Sequence, residues 1–257
     1  MQLWQWQKIQ KMLWLMQRSR LDRFISLTLN ISRRDVRLML AQKRISVDGN
    51  IVSDIGLIID KFSLIMVDEK VLQNYQPSYV MLHKPVGVVS ATSDEQLKTV
   101  IDLLDSEQYP EKAELHIVGR LDLNTSGLIL LTNDSSWSER LTQPNAKVAK
   151  HYKVTLADPI NENVQNDYVS AFAKGMYFAY EDITTKAAML TIVSPHTALL
   201  TLTEGRYHQI KRMFGRFQNK VVALHRFAIG NLELEQQLLV GTARRLTACE
   251  VRQISVK

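Results

Sequence analysis

Three short stretches hold the side chains able to do chemistry. Residues 119–132, GRLDLNTSGLILLT, set one carboxylate, Asp122, two positions from one guanidinium, Arg120, in a loop between apolar runs. Leu115 to Val118 predicts a short strand before the loop. Leu128 to Leu131 is the continuous apolar run of a strand buried on both faces. Gly119 and Gly127 bracket the loop, and glycine's tolerance of positive φ lets both ends turn sharply while Asp122 points out of the sheet. Taken alone, an Asp among Gly, Asn and Ser is an Asx-turn former, or half of an Arg pair.

The second stretch, residues 147–156, reads KVAKHYKVTL and sets Tyr152 among Lys147, Lys150, His151 and Lys153 at the start of a predicted strand. A strand tyrosine is ordinarily core or a cross-strand partner; ringed by bases, it can instead be a stacking platform for a nucleobase. The third, residues 204–217, reads EGRYHQIKRMFGRF, with Ile210, Met213, Phe214 and Phe217 at the spacing of one packed helix face. At about 100° per residue, Lys211 lies just beyond that face and can look inward, while Arg212 points nearly opposite, toward solvent or phosphate. From Gly205 to Arg226, counting Arg206 and Arg216, there are six Lys or Arg and no acid, a basic patch. A carboxylate, one or two cationic partners and a basic-rimmed tyrosine suit nucleobase chemistry at a sugar carbon. The carboxylate acts as nucleophile or base, and the aromatic holds a base taken out of its stack. Working near pH 7, that carboxylate must be ionised, which a neighbouring cation favours and partial burial opposes.

The elements that position these residues fall into two groups with different charge. The 257 residues are enough for one large domain or two smaller ones, and 46% hydrophobic with 23% charged residues describes a soluble globular chain. One cysteine, Cys249, excludes an internal disulfide framework and a cysteine-based zinc site, and the six histidines show no metal-ligand spacing. A reducing cytoplasm and no metal are expected. The net charge is +6, and Arg18 to Arg44 alone carries eight bases (Arg18, Arg20, Arg23, Arg33, Arg34, Arg37, Lys43, Arg44) against Asp22 and Asp35. With Lys8 and Lys11 added, everything after Arg44 sums to −2. A basic module joined to a near-neutral domain points to a nucleic-acid partner.

Residues 1–19 read as an accessory or poorly ordered extension. An upstream start, with Met16 as the usual initiator, is one way to account for it. Gln and Lys break its apolar residues well short of a membrane span or a signal-peptide core. Leu21, Phe24, Ile25 and Leu29 predict a helix ended by Asn30. Ser32 and Asp35 predict a capping box for a second, and Asp48-Gly49 a hairpin turn. Residues 67–78 read as a linker. From Tyr79 strands dominate: 79–85, GVVSA, 151–156, 187–193, 198–203, 221–225 and 229–234. Helices are expected at 99–104, from Asn133 or Asp134 to about 143, and at 162–173. The fold class is α+β with a mainly antiparallel sheet in residues 79–257.

Residues 20–66, with RLDRFI and SRRDVRLMLAQKRISVDGNIV, resemble the S4 RNA-binding domain. GRLDLNTSGLILLTND, KHYKVTL and EGRYHQIKRMF, in that order behind it, resemble the active-site motifs of the RsuA-type pseudouridine synthases. The resemblance spans nearly everything from Arg20 onward. It implies isomerisation of a uridine to pseudouridine in small-subunit ribosomal RNA, within an assembly intermediate, by a monomer needing no cofactor. It implies that Asp122 is the catalytic carboxylate, Arg120 helps displace the flipped base, Tyr152 stacks on the uracil, Lys211 pairs with Asp122 where many relatives carry Arg, and Leu131 is a pocket wall. RNA would be held by Arg20, Arg23, Arg33, Arg34, Arg37, Lys43 and Arg44, with Arg206, Arg212 and Arg216 beside the site. A synthase for large-subunit RNA, or a non-catalytic ribosome-assembly factor, are the other readings of the same motifs.

Overall fold

The computed structural model describes residues 18–143 and 145–254. The chain divides into two compact units between Pro77 and Ser78. The predicted extension lies outside the described residues except for Arg18 and Ser19, which belong to strand β1 (Arg18–Arg20) of the first unit.

The helix Leu21–Leu29 turns Leu21, Phe24 and Ile25 into the core and ends at Asn30, whose left-handed backbone (φ 55°) lets its N–H reach the Ser26 carbonyl. The helix Arg33–Ala41 begins with the reciprocal Ser32–Asp35 capping box. Asp48 and Gly49, both at positive φ, turn β2 (Ile45–Val47) into β3 (Asn50–Ile51), as a tight hairpin requires. Next come β4 (Ile58–Asp60), paired with β1, then β5 (Ile65–Val67) and β6 (Lys70–Gln73). The sheet order is β3-β2-β5-β6. Most of the expected linker therefore belongs to this unit. Its apolar Val71 and Leu72 extend the sheet, and Gln73 binds the carbonyls of Asp60 and Ser63.

The second unit is built on one nine-stranded sheet. Its strands are β7 (Tyr79–Lys84), β8 (His116–Val118), β9 (Thr125–Thr132), β10 (Lys150–Leu156), β13 (Met189–Ser194), β14 (Thr197–Leu202), β15 (Val221–Ile229), β16 (Leu232–Glu233) and β17 (Ala243–Arg245). A separate pair, β11 (Tyr177–Phe178) and β12 (Ile183–Thr184), lies outside it. The order is β13-β14-β10-β15-β9-β7-β17, with β16 on β15 and β8 on β9. Every pairing between these strands is antiparallel except β9 with β15. Alternate residues of β7 and β9 face opposite cores, whereas β10 and β14 bury one face only. Val80, Leu82, Ile129, Leu131 and Val154 join the larger core, with Tyr168, Phe172 and Phe214 from helices Glu162–Lys174 and Gln209–Gly215. Met81, Leu128 and Leu130 face the smaller one, where Trp137 of the helix Ser135–Thr142 packs.

Two expectations are corrected. GVVSA forms no strand: Val89 makes one isolated bridge to Thr99, and Ser90 is used instead to hold a neighbouring loop. Residues 99–104 form turns, not a helix. Thr99 and Asp102 close the segment on itself, and too few residues follow to propagate a helix. The two strands expected at 221–225 and 229–234 are β15 and β16 with shifted bounds, since β15 runs on to Ile229 before Gly230 turns it into β16.

Candidate active site

One row across the sheet sets up the site. Lys84 of β7 lies opposite Gly127 of β9, Gly127 opposite Arg226 of β15, and Arg226 opposite Tyr152 of β10. These side chains share the face of the larger core. Strand β9 carries β15 along only its first residues, to Gly127, and β8 along its last, from Leu130. The sheet forks between them, and the loop 119–124 that joins β8 to β9 lies at the fork. Gly127 is required there, since it sits at φ +112° and a Cβ on it would lie 2.2 Å from the Arg226 carbonyl oxygen.

Two buried cations fill the fork. Arg226, 1% exposed, donates from Nε to the Leu128 carbonyl at 2.8 Å and from Nη1 to the Arg120 carbonyl at 3.5 Å. It thus serves backbone oxygens near the gap left where the strands part. Lys84, with no exposed surface, points Nζ at the carbonyls of Thr125 (2.8 Å), Pro85 (3.0 Å), Asp122 (3.1 Å) and Leu123 (3.4 Å). Burial pulls the Lys84 pKa down to about 8; the Asp122 carboxylate opposes this and the Arg226 charge adds to it. Ser90 clasps Leu121 through both its N–H and its carbonyl, and Gly87 donates to the Leu123 carbonyl. The loop is therefore held by its backbone, which leaves the Asp122 carboxylate to face outward.

That carboxylate is one-third exposed and meets two side chains from the segment before and within helix Gln209–Gly215. Its Oδ2 lies 3.6 Å from His208 Nε2 and 3.8 Å from Lys211 Nζ. Met213 and Phe214 anchor the helix in the core, and Lys211 leaves its edge toward Asp122. A carboxylate between an ammonium and an imidazole, on a rigid loop at the rim of a core, can act as nucleophile or base without refolding anything around it.

A family model described as RNA pseudouridylate synthase matches residues 78–215. The ribosomal small subunit pseudouridine synthase A of Pseudomonas aeruginosa is 48% identical over 90% of this chain and 98% of its own length. That of Haemophilus influenzae is 39% identical over 91% and 99%. A crystal structure of a pseudouridylate synthase superposes with a TM-score of 0.65 at 38% identity, covering 91% of this chain and 99% of that one. The chain belongs to the RNA pseudouridylate synthase family. It is an RNA pseudouridine synthase, and its motifs can be followed onto the fold.

Lys211 looks inward from the helix edge, as its spacing predicted, and lies against Asp122, as the resemblance implied. Arg120 is exposed on the same loop, and its side chain makes no ion pair or hydrogen bond among the described residues. Tyr152 is 7% exposed and registered against Arg226, whose guanidinium reaches back to the loop. Leu131 is fully buried in the larger core between Val80 and Ile117, six residues along β9 from Thr125, which is about 20 Å of strand. Arg212 is partly exposed, pairs with Glu181 at 2.5 Å and lies 3.7 Å over the Phe178 ring. Arg206 pairs with Glu204, and Arg216 donates to the Tyr177 carbonyl, so part of the segment's basic patch is already engaged by its neighbours.

Reading the sequence missed Lys84, Arg226 and His208. Lys84 ends an apolar strand just before a proline, and Arg226 falls in phase with Leu224 and Ala228 in an alternating strand; a charged side chain in either place is ordinarily exposed. His208 precedes the helix and takes a left-handed backbone (φ 49°), which no spacing rule for histidine anticipates. In the first unit Arg20 pairs with the buried Asp22 and Arg44 with Asp68. Arg23, Arg33, Arg34, Arg37 and Lys43 are exposed and make no ion pair among the described residues.

Proposed function

We propose that this protein converts one uridine of small-subunit (16S) ribosomal RNA to pseudouridine, with Asp122 as the catalytic carboxylate acting on a nucleotide turned out of its stack. The observation that carries the reading is the Asp122 carboxylate, held by its loop backbone between Lys211 and His208. It lies in a chain that matches, nearly end to end, relatives named for the small ribosomal subunit. The bond between ribose C1′ and uracil N1 breaks, the uracil turns, and C1′ bonds to C5; C5 gives up a proton and N1 gains one. Nothing is oxidised or reduced, so no redox cofactor is needed.

Each side chain has a part in this scheme. Asp122 supplies the nucleophile or base, with the Lys211 ammonium and the His208 ring beside it. Arg120, free and exposed, enters the space left by the displaced nucleotide. Tyr152 and the apolar residues beside it hold the detached uracil, so that re-addition outruns escape. The first unit, read as an S4-type module, grips phosphates through Arg23, Arg33, Arg34, Arg37 and Lys43.

The test is to map pseudouridine across the ribosomal RNA of a strain lacking the gene, complemented with the natural protein or with Asp122→Asn. The expected result is one lost site in small-subunit RNA, restored by the natural protein and not by the variant, while the variant still binds that RNA. Loss confined to large-subunit RNA would reassign the substrate. An intact modification pattern, with a growth or assembly defect that Asp122→Asn corrects, would make this an assembly factor.

A further inference from the structure

We propose that the Tyr207 ring, backed by the His208 imidazole, is a stacking platform for the nucleobase next to the target uridine in the substrate RNA. The inference rests on the RNA-modifying reading above and goes beyond it by naming a second nucleotide subsite.

Tyr207 is three-quarters exposed, a large ring placed where burial would be the default. One of its faces is covered by His208, with ring centroids 3.9 Å apart and planes 18° from parallel. No other ring or cation stacks on Tyr207 among the described residues. His208 also reaches the Asp122 carboxylate with Nε2 at 3.6 Å, so the platform begins where the reacting nucleotide must sit. Tyr180 is still more exposed, but it has no ring partner among the described residues and no contact with this carboxylate.

The stack is set in advance. His208 occupies the left-handed region, unfavourable for a residue with a side chain, and the turn around it is tied down. The Arg206 N–H donates to Gln209 Oε1 and the Gln209 N–H to the Arg206 carbonyl, both at 3.1 Å. Gln209 Nε2 donates to Glu204 Oε1 at 2.7 Å, the Arg212 N–H to the His208 carbonyl at 3.0 Å, and Arg212 Nη1 to the Tyr207 carbonyl at 3.5 Å. A strained backbone fixed by this many bonds, with an exposed ring as its product, is pre-organisation for a ligand with a flat face. Base extrusion supplies one: turning the uridine out leaves its neighbour without a stacking partner, and a ring beside the carboxylate replaces it.

The experiment uses the full chain and a small-subunit RNA fragment carrying the mapped uridine, with each adjoining nucleotide in turn intact, abasic or replaced by 2-aminopurine. Tyr207→Ala should raise KM by about 5- to 100-fold with a much smaller change in kcat, and Tyr207→Trp should restore it. An abasic neighbour should cost the natural protein a similar factor and cost Tyr207→Ala nothing more. In an Asp122→Asn background, 2-aminopurine at that neighbour should be quenched on binding, and the quenching should vanish with Tyr207→Ala. Independent, multiplicative losses from the two changes, or an unaltered KM in Tyr207→Ala, would overturn the platform. The quenching is read without turnover, so a fragment that the natural protein fails to modify would count against the proposed function while the platform is still decided.

Discussion

The two units use positive charge in opposite ways. In the first, Arg23, Arg33, Arg34, Arg37 and Lys43 stand exposed with no carboxylate paired to them among the described residues. In the second, much of the charge is committed to structure, although Arg120 stands exposed and unpaired among the described residues. Arg206, Arg212, Arg244 and Arg245 are paired with glutamates, Arg216 is bound to a carbonyl, and Lys84 and Arg226 are buried on backbone oxygens. A free cation can neutralise a phosphate and release counterions, whereas a paired or buried one has already given its charge to the fold. Counting bases along the sequence cannot tell these uses apart, because the neutralising acids, Glu181 for Arg212 and Glu111 for Arg245, lie 31 and 134 residues away.

The largest effect that would break this contrast belongs to the buried cation at the fork. Arg226→Ala orphans the Leu128 carbonyl and opens a cavity beneath the loop, so it should cost about 3 kcal/mol in urea unfolding of the second unit. A midpoint equal to that of the natural protein would mean that Arg226 is not architectural. The converse holds for the first unit. Replacing Arg33, Arg34 and Arg37 together by Ala should leave the unfolding midpoint near its natural value. The same change should flatten the dependence of log affinity on log salt by about 2–3 in slope, three phosphate contacts' worth. An unchanged slope would show that these arginines do not contact RNA.

Much of the positioning was legible in the residues themselves. Asn30 as a helix stop, the Ser32–Asp35 box, the Asp48-Gly49 turn and the inward direction of Lys211 all follow from local stereochemistry or the angular period of one helix, while its partner Asp122 came only with the family resemblance. What was not legible depends on register between distant strands. Lys84, Gly127, Arg226 and Tyr152 align only once β7, β9, β15 and β10 are paired, and the one parallel pair sets the fork that Arg226 fills. The neighbours of Leu131 across the sheet, Val80 and Ile117, likewise depend on the pairing of β9 with β7 and β8.

A smaller effect separates the units by pH. In the folded chain Lys84 titrates at about 8, below the ordinary 10.5 of a lysine. Between those values the unfolded chain holds a proton that the folded one lacks, so stability rises with pH, and the cost of burying the ammonium is fully present below pH 8. Urea midpoints from pH 7 to 10 should therefore climb in the natural protein. In Lys84→Met, which keeps the length of the side chain without the charge, this part of the climb should be missing. An identical slope in both would put the ammonium in contact with water.

The smallest effect is expected at the one arginine of the basic helix-and-hairpin surface that sits in a fully exposed ion pair. Arg44 donates from Nε and Nη2 to the two oxygens of Asp68, both at 2.8 Å, and both side chains are open to solvent. The pairing holds the Arg44 pKa up and the Asp68 pKa down, first through the hydrogen bonds between them. Such a pair gains little in water, where screening and side-chain entropy offset its attraction, so Asp68→Asn should leave the unfolding midpoint unchanged. Its consequence should appear in binding instead. Freed from Asp68, Arg44 would join the unpaired cations around it, and Asp68→Asn should bind RNA more tightly and with a slightly steeper salt dependence. Weaker binding in Asp68→Asn would mean that the carboxylate aims Arg44 at the RNA, and that in the first unit, too, paired charge does structural work.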